Sequence, residues 1–347
     1  VLATPTAMVA AISASARLGI LVKNVSDLEV AGRMTAIVFD KTGTLTTGRL
    51  YVTKLTPAND IEAAELLALA ASAEQMSKHP AARALQEVAR EANISLGETK
   101  HFEEVPGKGV IADVSASKIY VGREQFLKEN NINMSGLSDP SLHEEQGFSV
   151  LYVAKDNKCI GWIGLQDKTR PEAHEAVKEL FDLGIKRVTM LTGDRDEVAN
   201  RVAGELGCSD YKSHCLPHDK LAIVEKVKKD RHTVVVVGDG INDAPALAAG
   251  DLGIAMGAAG SDVAINSASI ALMNNDLKRL PFLVRLSRKT RSVIIQNLFF
   301  GMLFIIAGIS ASRFIRPELA AVLHFCGSLL VVFNSARLVM SGEELDH

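Results

Sequence analysis

The longest apolar runs lie near the C-terminus. Val293 to Ser312 and Leu319 to Val332 contain no Asp, Glu, Lys or Arg, and each lies within a segment about as long as the ~20 residues a helix needs to cross a bilayer. The connector Arg313-Phe314-Ile315-Arg316-Pro317 is short, so residues 279–347 read as two transmembrane helices in a hairpin. Lys278, Arg279, Arg285, Arg288, Lys289 and Arg291 precede the first span and place that end in the cytosol, because positive charge is retained on the cytoplasmic side. Arg313 and Arg316 in the outer connector weaken this slightly. At the other end, Pro5 to Leu21 is Ala-rich and reads as one helix, the cytosolic end of a membrane helix whose outer part is missing. The opening Val1-Leu2-Ala3-Thr4-Pro5 is neither an initiator Met nor a signal peptide.

Between these ends the period changes. Thr35 to Phe39, Lys186 to Leu191 and Thr233 to Val237 are short apolar runs of the kind that form buried parallel strands. They lead into Asp40-Lys41-Thr42-Gly43-Thr44, Thr192-Gly193-Asp194 and Gly238-Asp239-Gly240. Helical segments such as Glu172 to Leu183 and Asp196 to Leu206 separate them, which predicts an α/β domain with its site at the carboxyl ends of the strands. Residues 51–164 have a different texture. Ile61 to Ala92 is largely helical with a break at His79-Pro80, and Phe102 to Val121 and Gly147 to Ile163 alternate as antiparallel strands do. The predicted order is therefore 1–34 stalk and helix end, 35–50 first part of the α/β domain, 51–164 an inserted α+β domain, 165–278 second part, and 279–347 membrane helices.

Composition adds limits. The 347 residues carry 38 basic and 41 acidic side chains, a formal net charge of -3, so nothing global points to a nucleic-acid partner. Four scattered cysteines, at 159, 208, 215 and 326, make no disulfide framework and fit domains in a reducing cytosol. The cluster Cys208, His214, Cys215 and His218 lacks a standard zinc spacing.

The strand-end loops carry the chemistry. A carboxylate attacking ATP must overcome repulsion from the phosphates and be placed in line, which calls for a metal ion and a cation. Asp40 supplies the carboxylate, and Gly43 lets the backbone approach the phosphate. Asp239 and Asp243 offer hard oxygen ligands suited to Mg²⁺, Lys220 offers the cation, and Thr192 and Gly193 offer hydrogen bonds to the transferring phosphoryl group. No Gly-x-x-x-x-Gly-Lys-Ser/Thr loop is present, so a Walker-type site is excluded.

This set, in this order, resembles the haloacid-dehalogenase-like phosphoryl-transfer fold. Asp40-Lys41-Thr42-Gly43-Thr44-Leu45-Thr46 with Gly238-Asp239-Gly240-Ile241-Asn242-Asp243 resembles the P-type ATPases in particular. The resemblance implies a Rossmannoid phosphorylation domain with an inserted nucleotide-binding domain. It also implies a catalytic set of Asp40, Lys41, Thr42, Thr192, Gly193, Asp194, Lys220 and Asn242, with Mg²⁺ held by Asp40, Thr42, Asp239 and Asp243. Phosphatases of this fold place a second Asp two residues after the nucleophile; here Thr42 stands there, so an aspartyl phosphate should persist.

Glu74-Gln75-Met76-Ser77-Lys78-His79-Pro80, Gly107-Lys108-Gly109 and Val121-Gly122-Arg123 are similar to the nucleotide signature of the heavy-metal (type IB) P-type ATPases, which implies that Glu74, His79, Gly107 and Gly109 hold ATP. The resemblance runs from Val1 to about Arg337 and implies ATP-driven export of a heavy-metal cation, of the divalent zinc, cobalt or cadmium type, from an integral protein of the plasma membrane with its catalytic domains in the cytoplasm. It also implies partners: the bilayer, the cation, and an N-terminal portion of the same pump bearing the actuator domain.

For the cation, His324-Phe325-Cys326-Gly327-Ser328 partly resembles the His-Glu-x-Gly-Thr of the divalent branch. His324 and Ser328 fall on one helix face and Cys326 nearly opposite, and imidazole does not discriminate among zinc, cobalt, nickel and copper. A copper-transporting member of the family, a soluble phosphatase of the same fold and a non-catalytic regulatory fragment are the competing readings.

Overall fold

In a computed structural model the chain is described over residues 3–135, 137, 148–240, 243–257, 262–311 and 317–341. Its strands, in chain order, are β1 Ile20–Val22, β2 Ala36–Asp40, β3 Thr46–Pro57, β4 Thr99–Val105, β5 Gly109–Val114, β6 Ser117–Gly122 and β7 Ser149–Lys155. β8 Lys158–Thr169, β9 Arg187–Leu191, β10 Asp210–Lys212, β11 Val234–Gly238, β12 Leu252–Ala255 and β13 Ile270–Leu272 follow. The chain forms two compact units: Val1–Leu45 with Arg170–Asp194 and Ala199–His347, and Thr46–Thr169 with Arg195–Val198.

The first unit holds a seven-stranded sheet in the order β1-β13-β12-β11-β2-β9-β10. Its centre is parallel: Val237 lies beside Phe39, and Phe39 beside Met190. β2 and β11 are buried at every position, because helices cover both faces of such a sheet and leave no polar side to alternate with. The Val-rich β11 suits a strand through its β-branched side chains. β1 joins the edge antiparallel to β13, which corrects the expectation of one helix from Pro5 to Leu21. The helix is Ala3–Arg17 and stops at Gly19, whose φ of +69° continues no helix.

Two long helices, Arg279–Ala311 and Pro317–Ala336, follow β13. Arg279–Ser310 is long and apolar enough to cross a membrane, and His324–Ala336 is a shorter apolar stretch. Leu298, Phe299, Met302, Ile305, Ile306 and Ile309 are exposed, as side chains bathed in lipid would be. The helices are joined by polar contacts instead: the fully buried Asn297 donates to Ser335 Oγ at 2.9 Å, Asn334 donates to Asn297 Oδ1 at 2.9 Å, and Thr6 Oγ1 lies 3.1 Å from Ser335 Oγ. Between apolar helices such bonds supply the adhesion that hydrophobic burial cannot. Of the expected connector only Pro317 is described, as the first residue of the second helix; residues 312–316 lie outside the described residues.

The second unit is a six-stranded sheet, β3-β8-β7-β6-β5-β4, with the helices Ala63–Ala73 and Pro80–Glu91 packed against it. Leu66, Leu67, Ala70, Leu85, Ile119, Val153 and Ile163 form its core. It begins at Thr46 rather than 51 and ends at Thr169 rather than 164, because β3 and β8 are paired from Thr46↔Thr169 to Pro57↔Gly161. Asp167 secures this ladder, accepting from Thr46 Oγ1 at 2.6 Å and from the Gly48 amide at 3.1 Å.

Candidate phosphorylation and nucleotide sites

Because β11, β2 and β9 are adjacent and parallel, their carboxyl ends bring three loops together, as the sequence led one to expect. β2 ends on Asp40, which is 8% exposed. The chain then makes a tight turn over Lys41–Leu45 in which Gly43 takes φ +76°, a left-handed conformation natural to glycine. A Cβ on Gly43 would lie 4.0 Å from that of Asp239, so the first and third loops face each other. Gly238 leaves room for Asp243, whose side chain would come within 3.1 Å of an added Cβ.

Lys220, on the first turns of the helix Pro217–Lys229, reaches this edge. Its Nζ donates to Asp40 Oδ1 at 2.6 Å and to Asp243 Oδ1 at 2.7 Å. The helix start is fixed by Pro217 and by Asp219, which accepts from the Leu216 amide at 2.9 Å. On the other flank, Lys41 and Asp194 form a close ion pair, and the Thr192 hydroxyl accepts from the Asp194 amide at 3.1 Å. Gly193 passes beside the Cys215 carbonyl. Thr42 is exposed, and Asn242 lies outside the described residues.

The electrostatics are those of a carboxylate crowded by its own kind. Burial first, then the charge of Asp243 and more weakly that of Asp239, push Asp40 up to about 7, while Lys220 pulls against them. Burial alone would lower Lys220, yet Asp40 and Asp243 outweigh it and hold the ammonium above the ordinary lysine range. Asp243 Oδ2 is buried with no hydrogen-bond partner among the described residues, an orphaned acceptor in a carboxylate-rich pocket. This fits Mg²⁺, a hard cation that takes one or two protein carboxylates and completes its shell with water and substrate phosphates. The described residues contain no group of three or more His, Cys, Asp or Glu able to cage a metal unaided.

Sequence reasoning missed Arg170. Its guanidinium donates to the Thr44, Gly43 and Asn275 carbonyls at 2.7, 2.9 and 3.0 Å. An Arg-Pro pair returning from an insertion was the available signal, but its target is remote in sequence.

In the second unit, Glu74, His79, Gly107 and Gly109 line one cavity of about 100 Å³ with Ser77, Glu104, Lys108 and Arg123. Glu74 is 4% exposed and burial pushes its carboxyl up to about 7, with Ser77 opposing and Glu104 assisting. Among the described residues its Oε2 is buried without a hydrogen-bond partner. His79 caps the helix Pro80–Glu91, Nδ1 accepting from the Ala81 amide at 3.2 Å. The two glycines differ. Gly107 has φ +75° and open space where a Cβ would stand, whereas a Cβ on Gly109 would meet the Val121 carbonyl at 2.3 Å. Gly109 therefore serves the close pairing of β5 with β6, and Gly107 leaves a clear approach to the cavity.

A larger cavity of about 740 Å³, lined by Leu28, Arg33, Arg288 and Ile294 among others, contains none of these groups. His324 and Cys326 are exposed on the helix Pro317–Ala336, and Ser328 Oγ donates back to the His324 carbonyl at 3.1 Å. The cysteines are free thiols, and burial pushes Cys208 up to about 12.

The fold and the Asp40 constellation define the haloacid-dehalogenase-like class, and the family described as haloacid dehalogenase-like hydrolase matches residues 34–251. The chain is 43% identical over 343 residues to the manganese-exporting P-type ATPase of Mycobacterium tuberculosis, covering 97% of this chain and 48% of that protein. It superposes on a zinc-transporting PIB-type ATPase in its E2·Pi state with a TM-score of 0.83 at 35% identity, over 97% of this chain and 55% of the other. The catalytic domain of the CPx-ATPase CopB-B gives a TM-score of 0.62 at 31% identity, over 78% of this chain and 96% of that domain. The chain belongs to the heavy-metal-transporting P-type ATPases. It spans about half the length of the curated relatives it matches.

Proposed function

We propose that this chain is the ATP-hydrolysing half of a pump that exports a divalent transition-metal cation, and that Asp40 is phosphorylated in each cycle. The observation that carries the reading is Lys220 Nζ at 2.6 Å from Asp40 Oδ1, at the carboxyl end of β2 and beside Asp239 and Asp243.

In this reading Glu74, His79, Gly107 and Gly109 hold ATP in the second unit. A carboxylate oxygen of Asp40 attacks the γ-phosphorus; the Asp40–phosphate bond forms as the bond to the ADP oxygen breaks, and ADP leaves with the electron pair. Lys220, the Thr192 hydroxyl and the Gly193 amide meet the charge that develops on the phosphoryl oxygens. Mg²⁺, held by Asp40, Thr42, Asp239 and Asp243, would neutralise phosphate charge when bound. Lys41 and Asp194 fix the flanks of the site, and Asn242 follows Asp239 by three positions in the sequence. Thr42 offers no acid or base at the position where a phosphatase would have one, so the phosphate is retained for conformational work.

The exported ion would cross beside His324, Ser328 and Cys326 together with helices from an N-terminal portion of the pump. The apolar helix Arg279–Ser310 and the basic residues before its apolar stretch support a location in the cell membrane, with the catalytic units in the cytoplasm. The names of the relatives, manganese-exporting and zinc-transporting, favour a divalent ion over copper. The experiment is acid-quenched labelling with γ-labelled ATP: an acid-stable, hydroxylamine-sensitive label is expected in the wild type and absent from Asp40→Asn. Label that survives in Asp40→Asn overturns the assignment.

A further inference from the structure

The residue that keeps the turn after Asp40 in shape lies about 125 positions further along the chain. A loop of five residues ending a buried strand exposes its carbonyls as well as its amides, and near a phosphate the carbonyls are repulsive. Arg170 meets those carbonyls. The backbone amide of Arg170 donates to the Leu45 carbonyl at 2.9 Å, and its guanidinium donates to the Thr44 carbonyl through Nε at 2.7 Å and to the Gly43 carbonyl through Nη2 at 2.9 Å. Three consecutive carbonyls of the turn are thus taken by one residue. The remaining arm, Nη1, donates to the Asn275 carbonyl at 3.0 Å, which ties the turn to the loop that follows β13.

We propose that Arg170 is a positioning residue for phosphoryl transfer, holding the carbonyl side of the Gly43–Leu45 turn so that its amide side and Asp40 keep their geometry. The physical link is peptide planarity: in a trans peptide the carbonyl and the next residue's N–H point in opposite directions. Fixing the Gly43 and Thr44 carbonyls on Arg170 therefore turns the Thr44 and Leu45 amides to the opposite side. The guanidinium also places a positive charge behind carbonyls that would otherwise repel an incoming phosphate. A lysine would not substitute, because a single ammonium cannot reproduce the rigid fork that spans these acceptors. Gly43 needs this support most, since its left-handed φ of +76° belongs to the residue with the most conformational freedom to lose.

The inference rests on Asp40 being phosphorylated, and its test separates the two. The chain, its Arg170→Lys and its Arg170→Ala variants are compared in three measurements: the rate of acid-stable labelling from γ-labelled ATP with Mg²⁺, the Kd for ATP, and amide hydrogen exchange in peptides covering 41–46. The expected result is a labelling rate lowered roughly 10- to 100-fold, the scale on which small misplacements act. The Kd should stay within about twofold by that same separation of positioning from binding, and the 41–46 amides should exchange faster in both variants. Added guanidinium should restore part of the rate in Arg170→Ala, and ammonium should not. Wild-type labelling rates in both variants, or unchanged exchange in the turn, overturn the inference. If Arg170→Ala does not fold, Arg170→Lys decides; loss of ATP binding there as well assigns Arg170 to general stability and also overturns it. A wild-type chain that takes no label contradicts the functional reading, while the exchange measurement still reports on the turn.

Discussion

Lys220 Nζ lies 2.6 Å from Asp40 Oδ1, although 180 positions separate the two residues. The same ammonium bonds Asp243 at 2.7 Å, so one cation stands between two carboxylates in a largely buried place. Such a cation lowers the cost of bringing a triphosphate toward a carboxylate and favours the ionised form of that carboxylate against the burial that opposes it.

Removal of this charge gives the first prediction. Asp40 sits at about 7 because burial and Asp243 outweigh Lys220, and only its ionised form is a nucleophile. Phosphorylation should therefore increase as pH rises through neutrality. Lys220→Met should shift that rise to higher pH and lower the rate at pH 7 by on the order of 100-fold, as loss of one charge-stabilising donor does. Rapid-quench labelling from pH 6 to 8.5 checks it; a Lys220→Met profile superimposable on wild type counts against the role given to Lys220.

Glu74 links the cavity of the second unit to stability. Its folded-state value is raised from 4.5 to about 7, chiefly by burial. The sign follows from proton binding: between these values the native state holds more protons than the unfolded state, so stability is full below about pH 4.5 and is lost as pH rises through about 7. At about 1.36 kcal/mol per unit the loss amounts to at most ~3 kcal/mol. Glu74→Gln should remove this slope. Melting curves should show the variant gaining on wild type between pH 5 and pH 8; a constant difference across that range would mean that Glu74 stays ionised.

His79 has two tasks that substitution can separate. Its Nδ1 caps the helix Pro80–Glu91, and the residue lines the cavity. His79→Ala should cost about 1 kcal/mol of stability as well as ATP affinity, since that is the usual worth of a cap. His79→Asn restores a capping side chain, so it should recover the melting temperature and leave ATP binding weak. Recovery of both would reduce His79 to a cap.

Much of this was legible because it is encoded locally. The buried parallel strands announce themselves as unbroken apolar runs, and a loop beginning on Asp40 at the end of one of them can only lie at the carboxyl edge. Lys220 and Thr192 were singled out through motifs and their order along the chain. The edge strand β1 was not legible, because three apolar residues after an Ala-rich helix have the same composition as another helical turn, and only pairing with β13 distinguishes them. The full lengths of β3 and β8 were missed for a related reason. Thr46 to Arg49 is polar and turn-like, and the ladder with Asp167 that makes it a strand is a contact between segments about 120 positions apart. Arg170 was invisible for the same reason, since its acceptors are backbone carbonyls, which leave no trace in residue identity. Gly109 shows the converse limit. A Gly-x-Gly string indicates a special backbone, yet only the structure tells that Gly109 faces the Val121 carbonyl while Gly107 faces open space.

Whether the phosphate resides on Asp40 can be read at the residue itself. After reaction with ATP and Mg²⁺, reduction with tritiated borohydride converts an aspartyl phosphate to labelled homoserine, and sequencing of the peptide spanning residues 34–49 locates it. Labelled homoserine is expected at position 40, and none in Asp40→Asn. Labelled homoserine at Asp239 or Asp243, or an ATP-dependent label confined to another residue, would contradict it.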